Sequence, residues 1–187
     1  MADGNEENFN IVVCASGGGG NFQALIDASD QGRKYTITKL ITDRDCGAVA
    51  RALGHKIQAD LIDKKSLGSE DFWARFSEAI PENTDLIVLA GFMPIVPAHI
   101  CAAWNGRIIN THPSLLPKYG GKGMVGVKVQ EALLAAGDKT AGCTVHFVTP
   151  VVDGGAVLGP AEIAVLEGGG AWDLGGRVFR EENRILV

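Results

Sequence analysis

"FNIVVCASGGGGNFQALI", Phe9 to Ile26, decides how the rest of the chain is read. Its first seven residues, Phe9–Ala15, form a β-branched apolar run, which reads as a buried strand. From Asn21 to Gln31 the apolar residues Phe22, Leu25 and Ile26 fall at helical spacing, with Asn21 as the expected N-cap. Gly17 to Gly20 join strand and helix. Glycine lets a backbone approach a ligand closely, and a helix N-terminus offers free N–H groups and the positive end of its dipole. The turn would lie at the carboxyl end of the first strand, where open α/β sheets bind ligands. It therefore reads as a phosphate cradle rather than a merely flexible turn. It is not a dinucleotide fingerprint. Counted from Gly17 the third glycine position is Phe22, and from Gly18 it is Gln23, although Asp43 and Asp45 sit near the expected ribose-binding acid. No Gly-Lys-Ser/Thr follows, so a P-loop is excluded as well. A single phosphate on a small substrate fits better.

Outward from this unit the alternation continues. Strands are expected at Tyr35–Thr42, Ala59–Asp63, Asp85–Phe92 and Gly106–Thr111. Helices are expected at Gly47–Leu53, at Ser69–Ile80 with Ser69 as cap, and at Val127–Gly137. The segment from Asp85 is apolar nearly throughout, as befits a central parallel strand covered on both faces. "AGCTVHFVT" and "GAVLGPAEIAV" read as two strands joined by "PVVDGG", and the tail from Ala171 is helical in character. Repeated strand–helix units imply right-handed crossovers. The expected class is α/β: an open, mostly parallel twisted sheet with helices on both faces, Rossmann-like, with antiparallel strands near the C-terminal end. No linker or repeat divides the chain. One domain over 1–187 is expected, with 1–105 binding phosphate and substrate and 106–187 carrying catalysis and further ligand contacts.

The bulk composition narrows the possibilities. The 187 residues suffice for one sizeable core. At 46% hydrophobic, 21% charged and net charge −5, the chain has a globular composition and argues against nucleic acid as a partner. Cys14, Cys46, Cys101 and Cys143 form no C-x-x-C pair or zinc spacing, so reduced thiols and no metal are expected, in a cytoplasmic setting. The N-terminal "MADGNEEN" is acidic and polar, unlike a secretory signal. The apolar run Leu86–Met93 is too short to span a bilayer, and Pro94 and Pro97 break its continuation, so no membrane association is expected.

"RIINTHPSLLPKYGG", Arg107 to Gly121, carries the chemistry. Asn110 and His112 are two apart at a strand end, so their side chains share one face. Pro113 biases His112 toward extended backbone. A carboxamide and an imidazole aimed at one point could hold an oxyanion and move a proton, although for the pair alone a His-Pro turn is the commoner explanation. Asp153, in the glycine-framed "VVDGGAV", adds an acid able to stabilise an imidazolium, and an Asp-Gly hairpin is the plain alternative.

Together "SGGGGNFQAL", "VLAGFM", "IINTHPSLLPKYGG" and "GCTVHFVTPVVDGGAVL" resemble the glycinamide ribonucleotide formyltransferase family of purine synthesis, over about Ile11 to Ile185. The resemblance implies formyl transfer from 10-formyltetrahydrofolate, as co-substrate, to the amine of glycinamide ribonucleotide, by a monomer or homodimer. It implies a catalytic trio of Asn110, His112 and Asp153, and a phosphate turn of Gly19, Gly20 and Asn21. Glu182 falls where the family has an acid near the substrate amine. Met93, Pro94, Ile95 and Val96 match the backbone segment lining the folate pocket, which Asn110 also borders. Val148, Val151 and Val152 belong to the loop that closes it, and Thr144 and His146 match supporting positions. A strand histidine with a purely structural role is the plain reading of His146. Three departures remove charge or donors from the expected anion sites. Gly20 stands where family members often have serine, Pro94 where they often have arginine, and Ser69-Glu70 where an arginine is common. The chain also ends at Val187, short of the family's usual tail. A formyltetrahydrofolate hydrolase, a transferase with another amine acceptor and a non-catalytic nucleotide-binding module are the competing expectations. The first two are weakened because no regulatory or RNA-binding extension is recognised.

Overall fold

A computed structural model of the chain describes residues 8–187, and the acidic start read above as no secretory signal falls almost wholly outside the described residues. The chain runs β1 (Phe9–Ala15), α1 (Gly20–Asp30), β2 (Tyr35–Thr42), α2 (Gly47–Gly54), β3 (Gln58–Leu61), α3 (Lys64–Ala79) and β4 (Leu86–Leu89). It continues through α4 (Ala98–Ala103), β5 (Ile108–His112), α5 (Val127–Ala135), β6 (Thr140–Phe147), β7 (Val157–Ala164) and α6 (Ala171–Leu186). The strands form a single seven-stranded sheet in the order β3-β2-β1-β4-β5-β6-β7. The first five are parallel, and β6 and β7 are antiparallel to their neighbours. The strand order reverses between β1 and β4, where an open α/β sheet forms its ligand crevice.

Alternation along β1 shows why both faces are covered. Val12 and Cys14 pack with Phe72, Trp73, Phe76 and Phe92 on one side of the sheet. Ile11, Val13 and Ala15 pack with Phe22, Leu25 and Ile26 of α1 and Ala48 and Ala52 of α2 on the other. A third cluster joins Ala141, Cys143 and Ala161 of the antiparallel strands to Leu174 and Val178 of α6 and Leu133 of α5. The four cysteines are free thiols, and burial pushes the Cys143 thiol up to about 12. Among the described residues no helix is long and apolar enough to cross a membrane.

Several expected boundaries shift for local reasons. Asn21 does not cap α1. The cap is Gly19, in the left-handed conformation at φ 72, and Asn21 is the second helical residue with its side chain buried. The third strand ends at Leu61 because Asp63 turns out of the sheet to cap α3, accepting from the Lys65 N–H at 2.9 Å. Ser69 does not start the third helix. A first turn precedes it, and the kink falls at Gly68, φ 75. The fourth strand ends at Leu89, not Phe92, since Gly91 at φ 75 breaks the extended backbone. The short α4 was not expected, because Pro94 and Pro97 read as breakers. Pro97 instead occupies the N-cap position, where its missing N–H costs nothing.

Candidate active site

A cavity of about 390 Å³ opens at the carboxyl ends of β1, β4 and β5. Its wall carries Asn21 from α1, Met93, Pro94, Ile95 and Val96 from the segment after β4, and Asn110 and His112 from β5. It also carries His146 from β6, Val148, Val151, Val152 and Asp153 from the following loop, and Glu182 from α6. The cavity thus draws on both halves of the chain. Of the site residues read from the sequence, Gly19, Gly20 and Thr144 are not part of its wall. Gly20 packs instead against the ring of Phe179, and Thr144 braces the loop after β5. Its hydroxyl donates to the Ser114 carbonyl at 2.7 Å and accepts from the Leu116 N–H at 3.1 Å.

The antiparallel pairing of β5 with β6 organises the polar centre. Asn110 sits directly opposite His146, and His112 opposite Thr144. The Nδ1 of His146 lies 2.9 Å from the Phe147 carbonyl. A carbonyl only accepts, so Nδ1 carries the proton and Nε2 presents its lone pair. Asn110 donates to that Nε2 from Nδ2 at 3.2 Å, which aims the carboxamide and leaves its second N–H unused. Burial holds His146 below the ordinary imidazole range, partly offset by its bond to the Phe147 carbonyl and by the Asp153 charge. Neutral His146 is what this arrangement requires.

His112 is 5% exposed. By the same argument its Nε2, 2.9 Å from the Tyr119 carbonyl, carries a proton. Nδ1 is the ring nitrogen left without that bond, and it faces Asp153 Oδ2 at 3.7 Å. Asp153 also accepts from the Gly121 N–H at 2.7 Å and lies 3.7 Å from His146 Nε2. One carboxylate thus ties together the loops after β5 and β6 and faces both imidazoles. Asp153 holds φ 55, a left-handed conformation that aspartate tolerates better than most residues. The glycines after it are needed for close packing, because a Cβ on Gly155 would overlap the Phe147 carbonyl at the end of β6.

Glu182 faces the same space from α6. Its carboxylate accepts from the Thr111 hydroxyl at 2.8 Å. Burial pushes the carboxyl up to about 7, against the opposing effect of that hydrogen bond. At the start of α1 the turn is pinned from outside by Arg51, whose Nε donates to the Gly18 carbonyl at 2.7 Å.

Sequence reasoning missed Phe179, Lys122 and Thr111. Phe179 is three residues before Glu182 on one helix, so the 3.6 period would have put both on the same face. Thr111 lies between Asn110 and His112, and its hydrogen bond to α6 carries no local signal.

This is an open α/β sheet bearing a buried Asn–His–Asp centre beside a largely apolar cavity. The comparisons with known proteins define its class. Residues 9–187 match the formyl transferase family, and the chain belongs to that family. It is 34% identical over 184 residues to a chloroplastic phosphoribosylglycinamide formyltransferase of Vigna unguiculata, covering 95% of this chain and 58% of the relative. It is 36% identical over 182 residues to the phosphoribosylglycinamide formyltransferase of Escherichia coli K12, covering 94% and 82% respectively. Glycinamide ribonucleotide transformylase 1 of Symbiobacterium toebii superposes with a TM-score of 0.88 at 38% identity, over 95% of this chain and 83% of that one. The chain spans about three fifths of the length of the plant relatives it matches, 58% and 62%.

Proposed function

We propose that the chain transfers a formyl group from 10-formyltetrahydrofolate to the amine of glycinamide ribonucleotide in purine synthesis. The observation that carries this reading is the meeting of Asn110, His112 and Asp153 at one wall of an apolar cavity, with the Glu182 carboxyl on another. Met93, Ile95, Val96, Val148, Val151 and Val152 supply a largely apolar slot, half-open to solvent, that suits a flat pterin ring. The folate co-substrate supplies the activated formyl group.

Each polar residue then has a distinct task. The unused N–H of Asn110, aimed by His146, stabilises negative charge developing on the formyl oxygen. His112 spends its Nε2 proton on the Tyr119 carbonyl, so its help to the oxyanion is through-space charge rather than a direct hydrogen bond. Its Nδ1, backed by Asp153, takes up the proton lost by the attacking amine and returns one to the departing nitrogen. Glu182 holds and orients the amine. The N–H groups of Gly19, Gly20 and Asn21 hold the far end of the acceptor.

The test is a spectrophotometric assay of tetrahydrofolate release with and without glycinamide ribonucleotide. Release that depends on the amine, with one formylated amine per folate, supports the proposal. Equal release without the amine would make the chain a hydrolase.

A further inference from the structure

The cavity wall at the start of α1 is more apolar than its glycine-rich turn alone predicts. Phe179 and Glu182 stand about one turn apart on α6, and both line the cavity. The phenyl ring reaches across to Gly20: a Cβ built there would overlap ring atom Cζ and stand 3.0 Å from Cε1. Gly20 is the first residue of α1. Its N–H lies ahead of the first intrahelical bond, which runs from the Gln23 N–H to the Gly19 carbonyl. The ring tip therefore takes up volume at the helix end where an anion would be held, beside a residue with no side chain to offer. Next to it Asn21 is only 6% exposed, with its carboxamide oxygen sealed from solvent.

These features favour one ligand chemistry over another. A phosphate dianion would be desolvated against the phenyl ring. A neutral hydroxyl loses far less on meeting the ring and can still accept from a helix N–H. Resting on the acceptor reading above, the geometry points to Phe179 as the residue that sets the acceptor's terminal chemistry. With Gly20 and Asn21 it builds a subsite that takes a neutral hydroxyl end, a sugar or polyol carried by the amine, nearly as well as a phosphorylated one.

Calorimetric titration of the full chain with glycinamide ribonucleotide and with its dephosphorylated riboside tests this. In the wild type the two dissociation constants should lie within about tenfold. Phe179→Ala opens the helix end to water and to an anion. It should shift the ratio toward the phosphorylated ligand by about ten- to a hundredfold, the range of one charge-assisted hydrogen bond. Gly20→Ser/Phe179→Ala, which adds a hydroxyl donor in the vacated space, should shift it further. Phe179→Leu keeps an apolar residue on α6 and withdraws the ring tip, so it must move the ratio in the same direction if Phe179→Ala fails to fold. A wild-type preference for phosphate above tenfold that these variants leave unchanged overturns the inference and leaves the acceptor reading standing. Binding of neither amine by the wild type overturns the acceptor reading, and the inference with it.

Discussion

Glu182→Gln should make the protein more stable at high pH while leaving it nearly unchanged at low pH. The Glu182 carboxyl is 7% exposed and bonded to the Thr111 hydroxyl at 2.8 Å, and burial raises it from the ordinary 4.5 to about 7. Below pH 4.5 the folded and unfolded chains both hold the proton, and nothing is lost. Between there and about 7 the unfolded chain releases it and the folded chain does not, so stability falls as pH rises. Above that window the loss is complete, at roughly 3 kcal/mol. Glutamine resembles the protonated acid and still accepts from Thr111, so the variant lacks this dependence. Guanidinium melts of both proteins at pH 5 and 8.5 would measure it. The stability difference should grow by about 3 kcal/mol between the two, or roughly 6–12 °C in Tm for a chain of this size. His112 and Asp153 share the cavity, and Cys143, Glu181 and Arg184 lie around α6, but these groups are common to both proteins and largely cancel in the comparison. Parallel stability curves across this range would refute the claim that burial of Glu182 is what shifts it. The same variant should bind the acceptor amine more weakly, by about 1.5–3 kcal/mol for one charge-assisted hydrogen bond.

His112→Ala should fold and lose roughly 10²–10⁴ in turnover, the value of one proton-transfer group. Asp153→Asn should lose turnover as well, and His112→Ala/Asp153→Asn should be little worse than the poorer single variant, since the two act as a unit. Fully multiplicative losses in steady-state kinetics would mean that Asp153 works apart from His112. At the turn, Gly18→Ala should leave the melting temperature nearly unchanged, because its Cβ meets nothing within 4 Å. Gly19→Ala should destabilise by about 1–3 kcal/mol, because Gly19 holds φ 72 and a Cβ there would stand 2.9 Å from the Ala48 Cα. Equal melting temperatures for the two variants would remove the argument that Gly19 is fixed by close approach to α2.

The parts of the fold that were legible are those where one strong local signal suffices. β1 and β2 matched their expected bounds, Phe9–Ala15 and Tyr35–Thr42, because each is a β-branched run with clear turn signals after it. What misled was punctuation that acts in more than one way. Pro97 reads as a breaker yet begins a helix, and Asn21 reads as a cap yet lies within one. At Pro97 the winning term is local, a missing N–H that an N-cap does not need; at Asn21 it is a neighbour remote in sequence. Gly19 takes the left-handed cap where Ala48 and Arg51 of α2 leave no room for a Cβ, and no pattern within Phe9–Ile26 contains that contact.

The polar centre divides along the same line. That Asn110 and His112 share a face followed from the period of a strand, and both do line the cavity. Which ring nitrogen carries the proton did not follow, because tautomers are set by partners. The His112 proton on Nε2 depends on the Tyr119 carbonyl seven residues on, and the His146 lone pair on Nε2 depends on the Phe147 carbonyl. Two histidines of one residue type thereby receive opposite tasks. His146, neutral and with its accepting nitrogen turned to Asn110, acts as an aiming device. His112, with its Nδ1 turned to Asp153, is the proton carrier in the proposed reaction. Exchanging the two assignments would require Asn110 to donate to a nitrogen that already bears a proton, which its N–H cannot do. The carbonyls of Tyr119 and Phe147 therefore fix the division of labour as firmly as the side chains that carry it out.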